Sequence, residues 1–210
     1  MKRFHAGLNG LDLEAPLSKT ILIAALFFLT SCANSLDMSG SRIKPPGLEW
    51  AVVIGSVLVQ PETIVSDKKL VGRDASGASY EFDIAQIQPG DPYGEGLFAI
   101  SYQLNANAGE ERIFISRLRP GQYLIRRFRQ DALTGLGGEL DLVFDAAPGE
   151  VRYIGRVRID LPQRVSSGKG YRFTVENARD PTLTRVSEQY GDLTKTTMDG
   201  PMHARAQAAP

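Results

Sequence analysis

Val151-Arg152-Tyr153-Ile154-Gly155-Arg156-Val157-Arg158-Ile159-Asp160-Leu161 carries the plainest fold signal in the chain. Val151, Tyr153, Gly155, Val157, Ile159 and Leu161 occupy alternate positions. Arg152, Arg156, Arg158 and Asp160 fill the places between, with Ile154 as the exception. Successive side chains of an extended strand point to opposite faces, so this alternation predicts a β-strand with one apolar and one charged face.

The same period continues outward in both directions. Tyr171, Phe173 and Val175 repeat it downstream, and Leu140, Leu142 and Phe144 repeat it upstream. Phe98, Ile100, Tyr102 and Leu104 form one more such run, and Tyr80, Phe82 and Ile84 another. Residues 50–59 are nearly continuous in β-branched and apolar types, which predicts a strand buried on both faces with Trp50 in the core. Gly55 within it marks a bulge or a close approach. Ile64-Val65 and Leu70-Val71 read as weaker strands. Pro89-Gly90, Pro120-Gly121 and Pro148-Gly149 suit type II turns, because proline presets φ and glycine accepts positive φ. Short strands punctuated by turns predict an all-β fold: an antiparallel β-sandwich of seven to nine strands. Antiparallel pairing is expected because consecutive strands are too close in sequence for parallel crossovers.

One short C-terminal helix is predicted. Asp180 can cap it, Pro181 fits its first turn and Gly191 can stop it. Leu183, Val186 and Tyr190 make its apolar stripe, placed to close an open edge or end of the sandwich. The folded domain is expected to span 48–193. Residues 32–47, rich in small, polar, Pro and Gly residues, read as a flexible tether. About 15 such residues reach at most roughly 50 Å, enough to hold a domain off a membrane. Residues 194–210 contain few apolar types and read as a disordered tail.

Composition narrows the chemistry. The chain has 24 Lys+Arg and 24 Asp+Glu. It therefore lacks the basic footprint of a nucleic-acid binder, and no nucleic-acid partner is expected. Cys32 is the only cysteine, and the two histidines are His5 and His203. No zinc-type cluster and no His- or Cys-based nucleophile is expected in the folded domain. Ser166, Ser167 and Lys169 are the nearest approach to a Ser–Lys pair, in a stretch of loop composition. The carboxylate groupings Asp91/Glu95 and Asp141/Asp145 do not have EF-hand spacing and are expected to be solvated. Leu133–Gly138 matches no phosphate-binding loop. A non-enzymatic protein without a cofactor is the expectation.

The arginines are the main candidate for binding. Arg117, Arg119, Arg126, Arg127 and Arg129 flank one predicted hairpin. If its strands pair with 151–161, then Arg126, Arg127, Arg152, Arg156 and Arg158 form a candidate binding face. Guanidinium forks suit lipid phosphates, anionic glycans or an acidic envelope protein. The alternative is a solvated sheet face with cross-strand ion pairs to Asp141, Asp160 and Glu176. Tyr93, in a Pro/Gly loop, is the one aromatic expected to be exposed for sugar stacking.

Leu29-Thr30-Ser31-Cys32 follows an apolar run, Ile21–Leu29, with Lys2 and Arg3 near the start. This resembles the signal peptide and lipobox of bacterial lipoproteins. The run is shorter than the roughly 20 apolar residues a spanning helix needs. The resemblance implies that residues 1–31 are a signal peptide, removed before Cys32. It also implies that Cys32 carries diacylglycerol and an N-terminal acyl group such as palmitate. Ala33, in place of the aspartate that favours inner-membrane retention, implies the outer membrane, facing the periplasm.

Two further stretches carry a second resemblance. Leu118-Arg119-Pro120-Gly121-Gln122-Tyr123-Leu124-Ile125 looks like the L-x-P-G-x-Y-x-I hairpin of transthyretin-like and carboxypeptidase-regulatory-like β-sandwiches. Ala147-Pro148-Gly149-Glu150-Val151-Arg152-Tyr153-Ile154-Gly155 resembles a later strand of bacterial envelope proteins of that type. The resemblance implies a fold rather than an activity, since such sandwiches host many functions. The expectation is a lipoprotein that binds or supports another envelope component, or alternatively a carbohydrate- or peptidoglycan-binding module.

Overall fold

The computed structural model describes residues 34–35, 43, 45–61, 78–96, 99–130, 137–161 and 170–205. The leader, Cys32, the weak strands near Ile64 and Leu70, Phe98 and the Ser166/Lys169 stretch lie outside these residues. The elements are β1 (Asn34–Ser35), β2 (Ala51–Pro61), β3 (Ser79–Gln86), β4 (Ser101–Asn107), β5 (Glu111–Leu118), β6 (Gly121–Gln130), β7 (Gly137–Ala146), β8 (Val151–Leu161), β9 (Arg172–Glu176), the helix α1 (Arg179–Thr194), β10 (Thr197–Asp199) and β11 (His203–Ala204). They form an all-β sandwich. One sheet runs β1-β4-β3-β6-β7-β11, and the other runs β10-β8-β2-β5 with β9 also on β8.

The core between the sheets is built from the alternating residues. Tyr80, Phe82, Ile84, Ile125, Phe128 and Phe144 come from one sheet, and Val53, Val57, Val59, Ile154, Val157 and Ile159 from the other. Trp50 is not among them: it is half-buried at the start of β2, with the Arg117 guanidinium stacked 4.5 Å from its ring. Consecutive strands pair antiparallel where they share a sheet, but β2 and β8 pair parallel from Val52/Val151 to Pro61/Leu161. The expected antiparallel rule therefore fails for these two, as it does for β1 on β4 and β10 on β8. The whole path of β3 to β7 lies between β2 and β8, which is ample for a parallel crossover.

A bulge in β8 reverses the reading of the central stretch. Tyr153 sits beside Ile54, but Arg156 sits beside Ser56, so Ile154 and Gly155 together oppose Gly55. Gly155 takes φ +98°, the left-handed region that glycine tolerates without Cβ strain. One extra residue inverts the alternation. Val151 and Tyr153 consequently face α1, whereas Ile154, Val157, Ile159 and Leu161 face the other sheet. The single apolar face expected of Val151, Tyr153, Val157, Ile159 and Leu161 is thus two half-faces on opposite sides. Gly55 itself marks close packing, with Phe114 and Ile154 against it.

Helix α1 covers the outer face of the second sheet rather than an edge. Leu183, Val186 and Leu193 pack on Val52, Ile54, Ile115, Val151 and Tyr153, with Tyr190 partly buried beside them. The Ala178 amide donates to the Tyr153 hydroxyl at 3.0 Å, which fastens the helix start to the sheet. Asp180 lies inside the first turn and does not cap it, and the backbone breaks at Tyr190 rather than ending at Gly191.

Both expected flexible ends are partly ordered. Within the 32–47 tether, Asn34 and Ser35 pair with β4 and Ile43 packs on the helix-side cluster. Within the 194–210 tail, β10 pairs with β8 and β11 with β7, so this stretch straps one sheet to the other. Met202, 3% exposed, enters the core between them. The Gly200 and Met202 amides donate to the Tyr153 and Ile154 carbonyls beside the bulge, at 3.0 and 2.9 Å. Composition missed this, because one buried methionine and a few backbone hydrogen bonds hold the segment.

Candidate functional site

The five arginines of the expected binding face lie in three places. Arg126 and Arg127 belong to β6, in one sheet, and Arg156 and Arg158 to β8, in the other. β6 and β8 do not pair, so the condition for one continuous basic face is not met. Arg152 is divided from Arg156 and Arg158 by the Gly155 bulge: it lies beside inward-facing Val53, while they lie beside Ser56 and Leu58.

Each of the five is ion-paired within the domain. Arg126 sits at a second bulge, unmatched between Arg127/Asp83 and Ile125/Ile84. From there its Nη2 donates to both Asp83 oxygens at 2.7 Å, and its Nη1 donates to the Gly94 carbonyl at 3.0 Å. Arg127 reaches the same carboxylate at 3.2 Å. Asp83 is only 9% exposed, so it is a desolvated carboxylate held by two guanidinium groups. Arg129 pairs with Glu81, which also accepts from Gln103.

On the other sheet Arg156 pairs with Glu111 at 2.7 Å and Glu176 at 3.4 Å. Arg158 bonds Asp160 at 3.0 Å, and Arg185 of α1 reaches Glu111 at 3.3 Å. Arg152 donates to Glu150 at 2.6 Å. The expected partners Asp160 and Glu176 are used here, and Glu111, Glu81 and Asp83 join them. Most of these groups are half-buried, so solvent screens the pairs only in part. Their main effect is to occupy the guanidinium forks that an anionic ligand would need.

The remaining candidate is the loop carrying Tyr93. Pro89-Gly90 makes the expected turn, with Gly90 at φ +81° and the Asp91 amide donating to the Gln88 carbonyl at 3.0 Å. The Asp91 carboxylate then accepts from the Glu95 and Gly96 amides at 2.9 and 2.8 Å. Those bonds hold its carboxyl below the usual carboxylate range. Arg126 grips the loop from beneath. From the C-terminal strap, Arg205 donates to the Pro92 carbonyl at 2.8 Å and stacks its guanidinium 4.5 Å from the Tyr93 ring. Tyr93 remains 53% exposed. It is thus an aromatic side chain held in place, with the Arg205 cation over its ring and about half of its surface open to solvent. Arg205 could not be found from sequence, because it lies in the stretch that composition assigns to a tail.

The other expected chemistry stays dispersed. Asp145 bonds Gln122 at 3.2 Å, and Asp141 sits at a β7 irregularity with φ +46°. Among the described residues no group of three or more His, Cys, Asp or Glu gathers at metal-binding distance. The Leu118–Ile125 stretch is a turn that carries the chain from β5 in one sheet to β6 in the other, rather than a hairpin within one sheet. Inside it, the Tyr123 hydroxyl donates to the Arg119 carbonyl at 2.9 Å. No protein-family model, curated protein or solved structure matches the chain.

Proposed function

We propose that this protein is a non-enzymatic bacterial lipoprotein, anchored through acylated Cys32 in the outer membrane and binding or supporting another envelope component on the periplasmic side. The observation that carries this reading is Leu29-Thr30-Ser31-Cys32 after the Ile21–Leu29 apolar run, with Cys32 the sole cysteine of the chain. The domain behind it supports a scaffold role. Its charged groups bond chiefly to one another, on both sheets, and its C-terminal strap ties the two sheets together. A transthyretin-like ancestry for the sandwich belongs to the same proposal. The test is expression in a bacterial host with labelled palmitate, followed by membrane fractionation. Label on the wild type, with Cys32→Ser unlabelled and released from the outer membrane, is the expected result. Equal fractionation of both proteins without label would overturn it.

A second reading, a glycan-binding module, is favoured by the exposed, arginine-backed Tyr93. It predicts saturable retention on purified cell-wall sacculi that falls in Tyr93→Ala. Retention unchanged by that substitution would remove Tyr93 from the account.

A further inference from the structure

The direction of β1 says where a lipid on Cys32 would sit, an inference that rests on the lipoprotein reading above. β1 runs parallel to β4, with Asn34 beside Tyr102 and Ser35 beside Gln103. Asn34, the first residue of β1, therefore lies toward the Ser101 end of β4. Cys32 is two residues earlier, so its Cα lies within about 7 Å of that of Asn34. An anchor so close leaves no room for the long stand-off that residues 32–47 suggest by composition.

Strand registers define which end of the sandwich this is. Ser101 pairs with Ala85, Gly121 with Ala146, Ala51 with Leu118 and Val52 with Val151. The turns after β5 and β7 join the two sheets at the same end, so one pole collects the start of β4, the 118–121 connection and the approach to β2. That pole carries Leu48, which at 83% is the most exposed large hydrophobic side chain among the described residues. Trp50 is half-buried beside it under Arg117, and Arg117 and Arg119 are exposed. Glu49 and Asp145 are exposed acids there, Asp145 accepting from Gln122, while Glu150 is engaged by Arg152. An exposed leucine, a tryptophan with partial access and two arginines match the headgroup layer of a bilayer: Trp settles at the interface and arginine meets phosphate.

We propose that this pole lies against the membrane surface, with Leu48 and Trp50 in the headgroup layer and Arg117 and Arg119 on lipid phosphates. The short link to acylated Cys32 and the composition of the pole point to the same end independently. The opposite pole, at the β4–β5 turn, then faces the periplasm.

Trp50 is the only tryptophan, so it reports its own depth. The full-length acylated protein is purified from envelopes and reconstituted in phosphatidylethanolamine–phosphatidylglycerol vesicles, with and without acyl chains brominated near the headgroup. For a side chain at the level of interfacial helices, brominated lipid is expected to remove about half of the Trp50 emission. Leu48→Asp with Arg119→Glu should cancel most of that loss while the protein still floats with vesicles. A flexible Gly/Ser insertion after Ala33 should weaken it too. Acylated, vesicle-bound protein whose emission ignores brominated lipid would overturn the proposal. A Cys32 peptide without lipid mass would instead overturn the lipoprotein reading, and this orientation with it.

Discussion

Gly155 is the residue on which the two half-faces of β8 depend, and Gly155→Ala tests that account. Two costs add. A side chain at φ +98° suffers the left-handed penalty, about 1–2 kcal/mol. The new Cβ would also stand 3.1 Å from Val175 Cγ1 and 3.4 Å from the Glu176 carbonyl, in a strand paired on both edges. Overpacking of this kind typically costs about 1–3 kcal/mol. The sum is about 2–5 kcal/mol, or a fall in Tm of roughly 4–20 °C for a domain of this size. Gly90→Ala separates the costs, because Gly90 has φ +81° with nothing within 4 Å of its added Cβ. It should lose only the conformational part, about 1–2 kcal/mol. The assay is urea unfolding of both variants, followed by circular dichroism and Trp50 fluorescence. Should Gly155→Ala cost no more than Gly90→Ala, the bulge is not the constrained point argued here.

Three other outcomes follow from the geometry. Met202→Ala should destabilise the domain by about 2–4 kcal/mol, since it empties a core site in the strap, and amide exchange of residues 197–205 should rise with it. A double-mutant cycle of Asp83→Ala and Arg126→Ala should give a coupling of about 1–3 kcal/mol, with proteolysis near Tyr93 faster in both singles; zero coupling would dismiss the clamp. The Asp91 carboxyl is depressed by the Glu95 and Gly96 amides, so its contribution is complete above the ordinary aspartate range and is lost as pH falls through and below it. Amide exchange at Glu95 and Gly96, corrected for intrinsic pH dependence, should therefore accelerate only in that acidic window, and Asp91→Asn should flatten the response.

Local pattern was enough for the class of the fold. Tyr80-Phe82-Ile84, Leu140-Leu142-Phe144 and Tyr171-Phe173-Val175 alternate in sequence and each turns its apolar side to the core. The helix stripe at Leu183 and Val186 was equally legible. These signals are properties of one segment against water, and a segment carries them whatever its neighbours.

Tertiary structure decided the rest. Whether Arg126 and Arg156 share a face depends on which sheet β6 and β8 join, and alternation within a strand is silent about that. Where β8 inverts depends on how Gly55 of a distant strand sets the register against Ile154 and Gly155. The order of residues 197–205 depends on carbonyls freed beside that bulge and on a core site that one methionine fills. Tyr93 acquires its backing from Arg205, which lies 112 residues further along the chain and meets it only across the folded surface. Hydrophobic burial is read one residue at a time, whereas register, sheet membership and ion pairing are relations between segments, and only the folded chain supplies both partners.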